Sequence, residues 1–489
     1  MNSKLLRIKK HFYLTFIFLL AYYSPVLING KYYIDDFGRS ISGYAGWGGD
    51  GRPLAEFVYV LFNFGMPLPD ISPLPQVIGI ILISIAIALA GYKIDKVKYI
   101  SVSLCLLPVA IAPTVIANMA YKYDAATMFL SYALAITAAT FRVDNYIKFL
   151  AVTSAIVMLL STYQLTIGAY VIFCLLFFIA DIRELTAKER VNQLGLKALS
   201  LIVGMIVYRL TVYKLTMVSE YANQGTALLS LGEIERGTAR NYLLLSEIFM
   251  DSVSGKIFYI IAASGIAAFI LSAFNALKYA NRNMHHLLSV LIVLVALPAS
   301  YIFIFAPLIP LKVPAIHPRV LISSGAFLAL IFCINHKLSG KLSYIQTAIS
   351  VFFVIYAAST CYAFNNYQLR QHEYEGFIGR MLVDDISKNS EIKSIYVIGN
   401  PGASPEYNIT AYKYPIIRSL TRILIKDGDG WGEYQLRHYG MKVRYSKKGR
   451  FISYPSTICQ YKVISYNSFY SLRIIDGVGV IDFNKNCVN

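Results

Sequence analysis

Long, nearly uninterrupted apolar runs dominate the first three quarters of the chain. They measure roughly 17 to 25 residues, the length a helix needs to cross a bilayer. About eleven spanning helices are expected. They fall at residues 12–29, 76–92, 99–117, 125–141, 146–162, 165–180, 198–213, 257–277, 287–309, 320–335 and 345–363. The polar breaks between them set an orientation. Lys4, Arg7, Lys9 and Lys10 precede the first run, which places the N-terminus on the cytoplasmic side. The segments 1–11, 93–98, 142–148, 181–197, 278–286 and 336–344 then lie inside. They carry about 17 Lys and Arg in about 59 residues, against about 10 in about 110 for the opposite loops. The outer side holds the long loops 30–75 and 214–256, the short 118–124 and 310–319, and everything after residue 363.

Residues 364–489 change pattern. SIYVIGN (Ser394 to Asn400), YKVISY and GVGVIDF read as strands, and FIGRMLVDDISKN reads as an amphipathic helix. A small α/β or α+β domain is expected there. A short amphipathic helix from Arg52 to about Phe64 is expected along the interface.

Composition agrees with the membrane reading. Of 489 residues 56% are hydrophobic and 15% charged, where soluble domains carry about a quarter charged. The net charge of +18 resides largely in short loops that orient helices and meet anionic headgroups. Nucleic-acid binding is therefore not expected. The first run is too long for a signal peptide and lacks a small-residue cleavage site, so it reads as a retained span. Cys105, Cys174 and Cys333 fall in spans as small apolar packers, and Cys361 ends the last span. Cys459 and Cys487 lie in the outer tail, where an oxidising compartment permits a disulfide.

Candidate chemistry gathers on the outer side. YYIDDFGRS (Tyr32 to Ser40) places Asp35 and Asp36 just past the first span, with Arg39 close by. They are either solvated loop acids or a carboxylate site at the membrane surface. GYAGWGGDGRPLAEF follows, with Trp47, Arg52 and Glu56. It is no phosphate-cradling loop, because no Gly-Lys-Ser/Thr follows the glycines. Trp47 either stacks on a sugar ring or sits in the aromatic belt. YKYD (Tyr121, Lys122, Asp124) either caps a helix or binds substrate. STYQ, with Tyr163 and Gln164, is a tight turn or a cavity wall. HPR, with His317 and Arg319, offers a guanidinium suited to a phosphate or to interfacial anchoring. No HExxH, GxSxG or dinucleotide fingerprint occurs, and the histidines form no metal-ligand spacing.

The order I-D-D-x-G-R-S, G-W and G-R-P-L-A, followed by Y-K-Y-D, T-Y-Q and H-P-R, resembles the serotype-converting O-antigen glucosyltransferases of Gram-negative bacteria and their temperate phages. The resemblance implies a GT-C architecture, with residues 1–363 as the transmembrane catalytic domain and 364–489 as a periplasmic domain. It implies an inner-membrane enzyme that moves glucose from polyprenyl-phosphate-glucose to a sugar of the O-antigen repeat. It also implies dependence on a flippase and on a glucosyltransferase that loads the carrier. Within that frame Asp36 is favoured as general base, with Asp35 next. Arg39, Arg52 and Arg319 are assigned to the donor phosphate. Trp47, Glu56, Tyr121, Lys122, Asp124, Tyr163, Gln164 and His317 are assigned to substrate. No cofactor is expected; the architecture accommodates a divalent metal, but nothing in the residues demands one. The rivals are another outer-face GT-C transferase and a transporter of lipid-linked sugars. A third, an acyltransferase, should show membrane-embedded His or Arg with a serine, and no such cluster occurs.

Overall fold

The computed structural model describes residues 2–278, 284–427, 430–446, 458–485 and 487. Residues 279–283 of the expected inner segment 278–286 lie outside these. The chain packs as two compact units. The first comprises Met1–Gly30, Ala45–Tyr362 and Tyr414–Leu420; the second comprises Lys31–Tyr44, Ala363–Lys413 and Thr421–Asn489. The second unit thus takes in a piece of the first expected outer loop as well as the tail.

The first unit is helical. Every apolar run expected to span coincides with helix. Among the described residues, eight helices are long and apolar enough to cross a membrane, or nine if a bent pair counts as one span. The difference from eleven falls on Ala125–Thr140 and Tyr146–Leu160, of 16 and 15 residues. At 1.5 Å per residue these reach roughly 24 and 22 Å, short of a hydrocarbon layer of about 30 Å. The run expected at 99–117 is the bent pair, Tyr99–Ile111 and Pro113–Ala120, at 47°. Proline explains the break: Pro113 has no N–H to donate and its ring crowds the preceding turn.

The loop expected at 214–256 is largely ordered. It contains the amphipathic helix Ile234–Ser252, which buries Leu245, Ile248 and Phe249. Asn241 fixes it by donating from Nδ2 to the carbonyls of Ile309 and Leu311 at 3.0 and 2.7 Å. The expected interfacial helix is present as Pro53–Phe62, with proline at its first turn, where a missing N–H costs nothing. Cys105, Cys174, Cys333 and Cys361 are all buried thiols.

The second unit contains a five-stranded sheet. Its strands are β1 (Ser394–Ile398), β2 (Arg444–Tyr445), β3 (Val463–Tyr466), β4 (Ser471–Ile475) and β5 (Val478–Asp482), in the order β2-β1-β5-β4-β3. β1 pairs in parallel with β2 and β5, whereas β4 pairs antiparallel with β3 and β5. The expected amphipathic helix is the end of a longer one, Ser343–Ser387. Ile378, Leu382 and Ile386 recur every fourth residue on its buried face and share a core with Ile395, Leu472 and Ile481. Cys459 and Cys487 form a disulfide.

Candidate active site

In the first unit, three loops and a helix start converge. Trp47 is completely buried and stacks on Tyr59 with centroids 5.0 Å apart. Its indole N–H donates to Asp124 Oδ1 at 2.6 Å. Asp124 occupies the N-cap position of Ala125–Thr140, yet its side chain makes no capping bond there. Trp47 therefore positions Asp124; a ring with no exposed surface has no face to offer a sugar.

The glycine-rich loop is fixed on both flanks. Glu56 Oε2 accepts from Gly48 N at 2.8 Å, and Arg52 pairs with Asp50 at 3.3 Å. Gly51 has φ +73°, and a Cβ there would sit 2.9 Å from Tyr208 Oη. That hydroxyl donates to the Gly51 carbonyl at 2.8 Å and accepts from Gln164 Nε2 at 3.1 Å. The backbone of Leu54 also donates to the Ser161 carbonyl at 3.1 Å, tying the STYQ turn to the helix after Arg52.

Arg319 is held through its backbone. Its carbonyl accepts from Tyr163 Oη and from Asn118 Nδ2, each at 3.0 Å. His317 Nδ1 accepts the Arg319 N–H at 3.2 Å, so the imidazole caps the short helix Pro318–Leu321. The Arg319 guanidinium lies 4.7 Å from the centre of the Tyr121 ring. Burial pushes the Tyr163 hydroxyl up to about 12; the charges of Arg319 and Arg52 oppose this and that of Asp124 adds to it. Two cations and one carboxylate thus act on one buried phenol. Lys122 Nζ donates to Asp70 Oδ2 at 2.9 Å. Burial would raise the Asp70 carboxyl, but hydrogen bonds from Ser72 and Lys122 and the Lys122 charge hold it below its usual range.

The acidic pair belongs to the second unit. Ile34 has φ +47°, a genuine outlier for a β-branched residue. That turn lets Asp36 Oδ2 accept from Tyr33 N at 3.0 Å while Asp36 N donates to the Tyr33 carbonyl at 3.1 Å. Asp36 is fully buried and opens the helix Asp36–Ser42; Asp35, half-buried, is its N-cap and makes no side-chain capping bond. Arg39 is buried, with its guanidinium 5.0 Å from the Tyr44 ring centre. Phe37 stacks on His372 at 5.6 Å and meets His438 edge-on at 5.5 Å. Ser40 Oγ lies 3.1 Å from His438 Nε2. Burial holds the His438 imidazole below its usual value; the Phe37 backbone opposes this and Arg437 adds to it.

The sequence-predicted residues therefore divide. Trp47, Arg52, Glu56, Tyr121, Lys122, Asp124, Tyr163, Gln164, His317 and Arg319 belong to the first unit, and Asp35, Asp36 and Arg39 to the second. Asp70, Asn118 and Tyr208 were missed. Asp70 left a signal, a lone acid in the proline-rich stretch PLPDISPLP, and Asn118 opens the outer loop 118–124; Tyr208, at the end of an apolar run, left none. Among the described residues, no group of three or more His, Cys, Asp or Glu side chains is arranged to hold a metal ion.

The profile of the family described as Glucosyl transferase GtrII matches residues 24–330. An uncharacterized 55.3 kDa protein in the gtrB 5' region of Salmonella phage P22 is 27% identical over 476 residues, covering 95% of this chain and 96% of that protein. No solved structure matches the chain. The matched region contains both the acidic turn and the Trp47–Asp124 cluster and covers well over half of the chain, and the protein belongs to the GtrII glucosyl transferase family.

Proposed function

We propose that the enzyme transfers glucose from polyprenyl-phosphate-glucose to a sugar of the O-antigen repeat, on the periplasmic side of the inner membrane, with inversion at the anomeric carbon. The observation that carries this reading is the packing around the STYQ turn: Tyr163 Oη donates to the Arg319 carbonyl, the Ser161 carbonyl accepts from Leu54 N just after Arg52, and Asp124 is fixed by the Trp47 indole. Two guanidiniums held by their surroundings suit a departing lipid phosphate, because preorganised charge is aimed where negative charge develops. In the displacement an acceptor hydroxyl oxygen bonds to C1 of glucose. The bond from C1 to the phosphate oxygen breaks, and the polyprenyl phosphate leaves with its electron pair. The acceptor proton passes to a carboxylate. Asp36 is the favoured base, with Asp35 next. Asp36 is fixed by the Tyr33 N–H, and a carboxylate held in one orientation loses less freedom on reaching the transition state.

Orientation rests on charge: Lys and Arg crowd the short segments assigned to the cytoplasm. The Cys459–Cys487 disulfide supports an oxidising compartment for the tail. In this scheme a flippase delivers the donor after a separate glucosyltransferase has loaded the carrier.

The test uses membranes supplied with polyprenyl-phosphate-[14C]glucose and lipid-linked O-antigen. Asp36→Asn should abolish most transfer, and Arg319→Gln should raise KM for the donor. Wild-type rates in both Asp35→Asn and Asp36→Asn, at normal expression, would remove the base assignment.

A further inference from the structure

A cavity edged with basic side chains lies in the first unit, away from the residues assigned to transfer. Its volume is about 420 Å³. It is formed by the ends of Leu74–Ile94, Ala125–Thr140 and Ile167–Ala180 and by the start of Ala187–Tyr208. These are the helix ends assigned to the cytoplasmic side. Six basic residues line it: Lys4, Lys93, Lys96, Arg142, Arg190 and Lys197.

The inner three are built in. Arg190 and Lys197 are 5% and 4% exposed. Lys93 Nζ donates to the Thr140 carbonyl at 3.1 Å, Lys197 Nζ to that of Ala139, and Arg190 Nη1 to that of Phe178 at 3.4 Å. The bland account is that these cations cap helix C-termini. It does not use up their donors, since an ammonium has three and a guanidinium five. Arg190 Nε is buried and makes no hydrogen bond among the described residues. The Phe177 ring further orients two of the cations, with Lys93 Nζ 4.0 Å and Lys197 Nζ 5.7 Å from its centre.

Acidic neighbours do not balance them. Glu184 in the lining is bound by Lys337 at 2.6 Å, and Arg142 is answered by Glu189 at 3.2 Å. Asp181 is the remaining carboxylate of the lining, against Lys93, Arg190 and Lys197 within and Lys4 and Lys96 at the edge. The rim is apolar and open. Phe141 is 54% exposed, and Ile8, Leu89, Leu185 and Leu194 of the lining are partly exposed.

We infer that this cavity binds the phosphate headgroup of an anionic phospholipid, with the acyl chains running out over the apolar rim. Excess positive charge recruits a phosphate, buried donors with spare capacity hold it, and exposed Leu and Phe meet the chains. Basic pockets between spanning helices on the cytoplasmic side hold such headgroups by this chemistry. The site is separate from the transfer reaction, so its failure leaves the glucosyltransferase reading untouched.

The experiment is native mass spectrometry of the full chain released from detergent, offered palmitoyl-oleoyl phosphatidylglycerol, the matching phosphatidylcholine, or inorganic phosphate. Phosphatidylglycerol should be retained at least about fivefold over phosphatidylcholine, the ratio that one Lys or Arg on an anionic headgroup supplies at about 1 kcal/mol. Arg190→Gln and Lys197→Gln should each lower that retention by about fivefold. Should either buried variant fail to fold, the exposed pair Lys4→Gln/Lys96→Gln decides, with a loss in the same direction. Equal retention of the two lipids, unchanged retention in the folded variants, or displacement of the lipid by millimolar inorganic phosphate would each overturn the proposal. The last outcome would assign the cavity to a soluble phosphate instead.

Discussion

Two buried aspartates in this protein are held in opposite ways. Asp36 bonds to the backbone of its own turn, three residues back. Asp124 bonds to an indole 77 residues away in sequence. The first arrangement is local: a strained Ile34, a turn and a helix start fold the carboxylate onto the Tyr33 N–H. The second exists only because the glycine-rich loop, Tyr59 and the start of the helix Ala125–Thr140 pack together. The Asp36 contact with Tyr33 N is set within the turn itself. A tertiary acid reports on the packing of everything around it. On the proposed reading the base is of the first kind, and Asp124 is of the second.

The sharpest way to break this contrast is catalytic. Asp36→Asn should lower kcat by about 10²- to 10⁴-fold, the usual contribution of a general base. Asp124→Asn retains an acceptor for the indole and should act mainly through KM. Equal kcat losses for the two, measured in membranes at matched expression, would end the distinction.

Next in size is Trp47→Phe. It leaves a buried carboxylate oxygen without its indole donor, at a cost of about 1–3 kcal/mol. The apparent Tm of the detergent-solubilised protein should fall, and the same substitution should spare the turn around Asp36. Gly51→Ala should cost a similar or smaller amount, about 1–3 kcal/mol for a side chain forced to positive φ. Its new Cβ would also press on Tyr208 Oη and Met217 Cε, at 2.9 and 3.1 Å. An unchanged Tm would show that the loop relaxes and that Asp124 does not depend on its packing.

The smallest effect belongs to the acidic turn. His438 packs on Phe37 and is held below its usual value chiefly by burial. A depressed folded value means the fold prefers neutral imidazole. That contribution is complete above the unfolded value of about 6.5 and is lost as pH falls below it. Thermal unfolding at pH 5 and pH 7.5 should show a modest acid loss, and His438→Gln should shrink it. No change in the slope would remove His438 as a titrating support of the turn.

Much of this protein was legible in its sequence because membranes impose simple rules. A spanning helix must satisfy its own backbone and cover about 30 Å with apolar side chains. Length and hydropathy therefore located every apolar run, and Pro53–Phe62 with its leading proline, but not the amphipathic helix Ile234–Ser252. The strands at 394–398, 463–466 and 478–482 were visible as apolar β-branched runs. The two-residue β2 and the strand Ser471–Ile475 were not; SLRII carries an arginine on a buried face, which breaks the pattern.

By itself, then, the sequence determined the apolar helices, the basic composition of the short loops between them, and the short motifs that resemble the glucosyltransferases. Each follows from local composition. Only the tertiary structure decided that Trp47 is a buried donor to Asp124, that Lys122 pairs with Asp70, and that Lys31–Tyr44 packs with the tail unit. It also decided that scattered inner lysines and arginines line one cavity. These depend on pairings across tens to hundreds of residues, where no spacing rule operates and packing alone chooses the partner.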